Sequence, residues 1–283
     1  MSKSLNAAAI ASFDAVVKQA YQDSGVLRPH VRTKAGITGR SHRFTVIGQG
    51  VATPRIPQTD VVPMNVIYSK PEAVLEDWNA AEYTDVFDAA KVNFDEQSLL
   101  ATTISQAISR REDQLIIDAL TASGSTLQVP TNEGGAGTNL NTAKFLRAKQ
   151  LLDAGGVNPD MRKMVVHSNN IFGLLGDQQA TSSDFNTIRA LVNGEIDTWL
   201  SFKVCMVSDR PNEGGMPITG AVRTGFAFHG GPMGAVGLAI GVDQRTEVNY
   251  VPEKTAWLAN GLFSAGSIAI DPVGIVEVLM TEA

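Results

Sequence analysis

The stretch SGVLRPHVRTKAGITGRSHRFTVIGQGVATPRIPQTDVVP, residues 24–63, decides how the whole chain is read. No acid stands between Asp23 and Asp60, whereas Arg28, Arg32, Lys34, Arg40, Arg43 and Arg55 do, and Pro29, Pro54, Pro57 and Pro63 punctuate the run. Alternation at Arg43 to Ile47, and again at Met64 to Tyr68, predicts a long hairpin with a proline-rich tip. Two strands alone are marginally stable in water, and a segment that cannot bury a core of its own must lie on something else. The expected support is a second copy of the same chain.

Upstream, Leu5, Ala8, Ala9, Ser12, Phe13, Val16, Val17, Ala20 and Tyr21 recur at helical spacing and predict an amphipathic helix over about 4–22, ended by Gly25. Downstream the charge inverts: Glu72, Glu76, Asp77, Glu82, Asp85, Asp88, Asp95 and Glu96 follow, with only Lys91 among them to balance. A basic arm beside an acidic body suits head-to-tail contact between identical subunits. Two ordinary solvated faces would give the same pattern.

The clearest single element is a helix over about 94–122. Asn93 and Glu96 have capping-box spacing, Leu100, Ile104, Ala107, Ile108, Leu115 and Ala119 share one face, and Gly124 follows the end. Arg111 interrupts the apolar stripe, so the helix is expected to back onto a sheet rather than form a coiled coil. Gly134, Gly135 and Gly137 mark 124–141 as a mobile linker and a domain boundary. Short helices over 142–154, 168–175 and 183–192 then alternate with strands at 163–167 and 199–207. From Thr224 the pattern is mostly strand: 226–229, 236–242, 246–251, 256–262, 267–270 and 275–279. The fold class is α+β with a mixed central domain.

Composition narrows the function. With 283 residues, 43% of them hydrophobic, the chain can bury a sizeable core. A net charge of −6 argues against a protein whose main task is to neutralise phosphates. The single cysteine, Cys205, sits in an apolar run, so no internal disulfide forms and a buried inert thiol is expected. No signal peptide or membrane span is recognisable, and a cytosolic site of synthesis is expected.

Chemistry-bearing patterns are scarce. Gly48-Gln49-Gly50 lacks the third glycine of a dinucleotide turn, and Pro54 and Pro57 stand where the phosphate-binding helix would begin. His30, His42, His167 and His229 have no metal-ligand spacing. No serine occupies a nucleophile elbow, and Cys205 lies mid-strand. Trp78, Trp199 and Trp257 lack basic neighbours and are expected as core or interface anchors. Gly230 to Gly241 is too short, and too broken by Pro232, for a membrane hairpin. No catalytic, cofactor or metal residues are assigned, and a structural protein is expected.

In order, the parts are an N-terminal helix with a basic arm, a proline-rich hairpin, an acidic strand, a long helix, a glycine-rich linker and a mixed domain closing with strands. That order resembles the major capsid protein of tailed bacteriophages, whose coat fold cellular encapsulins share. Particular stretches are similar too: Gly39-Arg40-Ser41-His42-Arg43-Phe44-Thr45-Val46-Ile47-Gly48, Met161-Arg162-Lys163-Met164-Val165-Val166-His167-Ser168, Leu191-Val192-Asn193-Gly194-Glu195-Ile196 leading into Phe202-Lys203-Val204, and Phe263-Ser264-Ala265-Gly266 onward to Val278.

The resemblance implies an N-arm over 1–38, an extended loop over 39–75, a peripheral domain over 76–139 and 246–283 with spine helix 94–122, and an axial domain over 140–245. It implies self-assembly into hexamers and pentamers of an icosahedral head around double-stranded DNA, without enzymatic activity or cofactor. Implied partners are further copies of the chain, a portal, a separate scaffolding protein and a decoration protein. Because the arm helix begins within the first few residues, the chain is expected to be either the cleaved form of a protein with a scaffolding extension or, given Met1, one that uses a separate scaffolding protein. Arg40, Arg43 and Arg55 are the candidate interface cations, and Glu72, Glu76 and Asp77 of a neighbour their candidate partners. An encapsulin-like compartment, and more remotely an enzyme of unrecognised type, are the alternatives.

Overall fold

The computed structural model describes residues 24–89, 96–176, 198–210 and 213–282. The helices expected over 4–22 and 183–192, the cap at 93–96 and the motif at 191–196 lie outside the described residues or depend on side chains outside them. In chain order the elements are β1 (Arg32–Ala35), β2 (Ser41–Arg43), β3 (Val46–Ile47), β4 (Tyr68–Ser69), β5 (Glu72–Val74), β6 (Glu76–Asp85), α1 (Val86–Ala89), α2 (Glu96–Thr121), β7 (Gln128–Val129), α3 (Thr142–Ala154), β8 (Arg162–His167), α4 (Ser168–Leu175), β9 (Thr198–Trp199), β10 (Phe202–Val207), β11 (Ile218–Thr219), β12 (Val222–His229), β13 (Val236–Val251), β14 (Ala256–Ala269) and β15 (Ile275–Thr281).

Two sheets carry the fold. One has four strands in the order β1-β13-β14-β6, and the other seven, β7-β15-β12-β8-β10-β9, with β11 paired to β12. The acidic segment is indeed a strand: β6 lies antiparallel along β14 from Glu76 opposite Ala265 to Asp85 opposite Ala256. The sequence divides β13 near Asp243 and Gln244, and the structure instead keeps one strand with register shifts between Ile240 and Arg245. Such shifts bend a long strand without ending it. The break expected in β14 is absent, because pairing with both β13 and β6 carries the ladder through it.

The helix α2 lies between the sheets and joins them. Ile104, Ile108, Ile116, Ile117 and Leu120 share one buried cluster with Leu238, Ile240, Ala259 and Phe263 of the smaller sheet and with Val165, Cys205, Phe226 and Phe228 of the larger. At 26 residues, roughly 39 Å by the rise per residue, it spans the body, as expected of a helix backed by a sheet. Gly261 sets how close it comes, since a Cβ there would collide with the side-chain ends of Ile104 and Ile108. The far face of the larger sheet packs on α3 and α4 through Met164, Val166, Phe202, Ala227, Val276 and Val278 against Phe145, Leu152 and Leu174.

The segment over 124–141 is not a loose connector. Leu127, Val129 and Leu140 pack into the second core, and β7 pairs parallel with β15. The Lys144 ammonium donates to the carbonyls of Thr138 at 2.5 Å and Leu279 at 2.8 Å. The glycines give the appearance of looseness, whereas apolar side chains between them supply the anchorage. Sheet membership also divides the chain differently from a boundary at 245, which falls inside β13, and β15 joins the larger sheet although β14 joins the smaller.

Candidate assembly surface

Residues 41–74 form the expected hairpin, but its ladder is confined to the root. β2 pairs with β5, and β3 with β4, both antiparallel. The second strand begins at Tyr68 rather than Met64, since Asn65 adopts a left-handed backbone (φ 47) that a strand cannot hold. Between the ladders' outer end and the tip, Val51, Ile56, Val61, Val62, Met64 and Ile67 are all exposed, Val61 to 89%. So many aliphatic side chains on one projecting segment form an uncovered apolar surface, the mark of an interaction site.

The hairpin root is bonded to the body. Phe44 is buried with Ala73, Ala239 and Ile270 on the outer face of the smaller sheet, over Gly237, where a Cβ would lie 2.7 Å from the ring. Gly266 leaves room for the carbonyl of Val74 to cross β14. Gly48 donates its N–H to Ile67 O at 2.8 Å, and a Cβ at Gly50 would lie 2.9 Å from the Met64 sulfur. These glycines let the two arms of the hairpin approach, and no helix follows them. A groove of about 630 Å³ beneath the root is lined by Val46, Gln49, Gly155, Met233 and Val273 among others. Its Asp271 carboxylate accepts from the Val273 N–H as a turn cap.

The candidate charges are arranged unequally. Arg43 Nε donates to Glu72 Oε2 at 2.9 Å across β2 and β5 of the same chain, and Ser41 donates to the other oxygen of that carboxylate. Those bonds, Ser41's first, hold the Glu72 carboxyl below its usual range. Within one chain Arg43 and Glu72 therefore pair with each other, because antiparallel register sets the two residues opposite. Arg40 and Arg55 are exposed on the hairpin, and Glu76 and Asp77 are exposed at the start of the edge strand β6. None of these four forms an ion pair among the described residues.

A second constellation anchors the arm's root. Asp113, fully buried in α2, accepts from the N–H groups of Val26 and Leu27 and from Arg210 Nη2, each at 2.9 Å. Arg28 holds Asp243 in a two-pronged contact at 2.8 and 3.0 Å and approaches Glu112 at 3.5 Å. Arg110 holds Glu213 through Nε and Nη2 at 2.7 and 2.9 Å, and Arg111 lies 3.8 Å over the Trp78 ring. In sequence, Arg110-Arg111-Glu112-Asp113-Gln114 is simply a break in the apolar stripe. Charge buried in mid-helix was the available signal, but its partners at 26–28 and 210 are far away in sequence.

A family model for phage capsid proteins matches residues 5–282. The chain belongs to the phage capsid protein family. Solved structures agree in fold: the capsid of cyanophage P-SCSP1u superposes with a TM-score of 0.76 at 14% identity, covering 99% of this chain and 95% of that one. The head protein of Helicobacter pylori bacteriophage KHP40 gives 0.75 at 11% identity, with 96% of each chain covered. Mycobacterium phage Che8 gives 0.70 at 16%, covering 95% of this chain and 96% of that one. No curated protein matches the sequence.

As a capsid protein, the chain is a structural component of the virion that assembles with copies of itself and is not an enzyme. Two of its histidines have local roles in the fold. His167 caps α4 and faces Asp209 at 3.0 Å, and His42 meets Phe44 edge-on at 4.8 Å. Among the described residues no cluster of His, Cys, Asp or Glu could hold a metal, and no helix is long and apolar enough to cross a membrane.

Proposed function

We propose that this capsid protein builds hexamers and pentamers of an icosahedral head around double-stranded DNA, and that the hairpin over 39–75 is the extended loop by which one subunit overlaps the next. The observation that carries the reading is the uncovered aliphatic tip on a root bonded to the body. Burying surface of that kind against a neighbour gives the hydrophobic gain that the lone hairpin lacks. The smaller sheet with α2 corresponds to the peripheral domain and the larger sheet with α3 and α4 to the axial domain, with residues up to 38 as the N-arm. Arg40 and Arg55 are the cations left to meet a neighbour's Glu76 and Asp77, whereas Arg43 and Glu72 stiffen the hairpin root. A separate scaffolding protein, a portal and a decoration protein are the further partners of this reading.

The test is to replace Val61 and Val62 by serine in one variant, and to reverse Arg40 and Arg55 to glutamate in another. Each should keep the parent's circular dichroism and melting behaviour as an isolated subunit, yet give no closed shells by negative-stain microscopy. Normal shells from the serine variant would refute the overlap, and normal shells from the reversed variant would refute the charge pairing.

A further inference from the structure

β8 and β10 run parallel, and their register sets Lys203 directly opposite Lys163. Residues paired in this way project to the same face about 4.8 Å apart at the backbone, and like charges so placed repel. The backbone of His30 lies beside them. His30 follows the arm's anchored root, its carbonyl accepts the N–H of Gly231 at 3.2 Å, and a Cβ at Gly230 would meet both that carbonyl and, at 3.0 Å, the Lys163 stem. The His30 imidazole is pushed below its ordinary range by burial and then by Lys163 and Lys203. The one carboxylate whose field opposes this is Asp113, which Arg210 and the Val26 and Leu27 N–H groups already occupy. Neither lysine forms an ion pair among the described residues.

We infer that Lys163 and Lys203, beside the His30 backbone, form a binding site for the phosphodiester backbone of enclosed nucleic acid. The inference rests on the proposed capsid function and adds a contact point to it. Three arguments favour phosphate over a neighbour's carboxylate. Within this molecule the two-pronged carboxylate contacts, Arg28 to Asp243, Arg110 to Glu213 and Arg223 to Glu282, all use arginine. The lysines at this site are compact point charges on flexible stems, suited to a backbone met in any register. A subunit of net charge −6 must also concentrate its contact with a polyanion in local patches. Lysines that meet the phosphate backbone rather than base edges bind without regard to sequence.

The experiment compares the parent protein with Lys163→Gln/Lys203→Gln, and with Lys203→Gln alone at the exposed position. Binding of a short mixed-sequence DNA duplex is followed by fluorescence anisotropy over a salt series, with melting and negative-stain assembly recorded in parallel. Each phosphate no longer neutralised by the protein should flatten the plot of log affinity against log salt by about 0.9. The slope of the double variant should therefore fall by about 1.8 and that of the single variant by about 0.9, while both assemble like the parent. An unchanged slope in the single variant overturns the site, even where the double variant fails to fold. Failed assembly with unchanged DNA binding also overturns it, and assigns the lysines to an acidic face of another copy. A parent that binds DNA with the expected slopes but never assembles would sink the capsid proposal and leave this site standing.

Discussion

Asp113 concentrates more structural consequence than any other side chain in the arm's anchorage. Its two oxygens satisfy two consecutive backbone N–H groups and the buried Arg210. Removing one partner of a buried ion pair strands the other charge, at a cost of about 3–5 kcal/mol. Asp113→Ala should lower the unfolding free energy of the isolated subunit by that amount in urea titration, and a loss under about 1 kcal/mol, the scale of an exposed ion pair, would contradict the anchorage. Its neighbour gives a pH signature. Burial, with Asp113 and Asp243 close by, pushes the Glu112 carboxyl up from 4.5 to about 7 against the pull of Arg28. Between those values the folded chain holds a proton that the unfolded chain releases. The stability contributed by Glu112 is therefore complete below about 4.5 and is lost as pH rises through about 7. Glu112→Gln should flatten the decline in stability over that interval, and an unaltered profile would remove Glu112 as its source. None of this was legible from spacing, because the groups that meet Asp113 and Glu112 come from residues 26–28, 210 and 243.

At the level of elements, local pattern located much and tertiary pairing decided the rest. The long helix, the acidic strand, the hairpin and the strand-rich end were all readable from periodicity, since each alternates or repeats within a few residues. What pattern could not supply was which strands become continuous. β13 and β14 each absorb a break that the sequence suggests, because a neighbour on the ladder holds them through it. The linker over 124–141 reads as loose for a related reason: its three glycines outweigh Leu127, Val129 and Leu140, whose place in the core only the fold reveals. Helix and sheet meet most closely at Gly261, facing Ile104 and Ile108. Gly261→Val should push α2 off the smaller sheet and cost roughly 1–3 kcal/mol by overpacking, read as a lowered melting temperature. Pairing the change with Ile108→Ala should recover part of the loss, whereas additive losses would place the strain elsewhere.

For the whole molecule, order along the chain said more than any motif. The arm, hairpin, acidic strand, spine helix and mixed domain were each unspecific, yet their succession identified the family that the match over residues 5–282 establishes. Among the candidate charges, Arg43 and Glu72 face each other within one chain, a relation fixed by hairpin register and so not legible from composition. The hairpin root has a mechanical consequence. It is held by short ladders, by Phe44 over Gly237 and by Val74 crossing at Gly266, so the projecting segment is a cantilever clamped at one end. A tug on its tip is loaded onto the smaller sheet and from there onto the helix sandwiched behind it. In a closed container whose tiles overlap through these hairpins, as proposed, tension from within would pass along such beams and load the contact of Phe44 with Gly237.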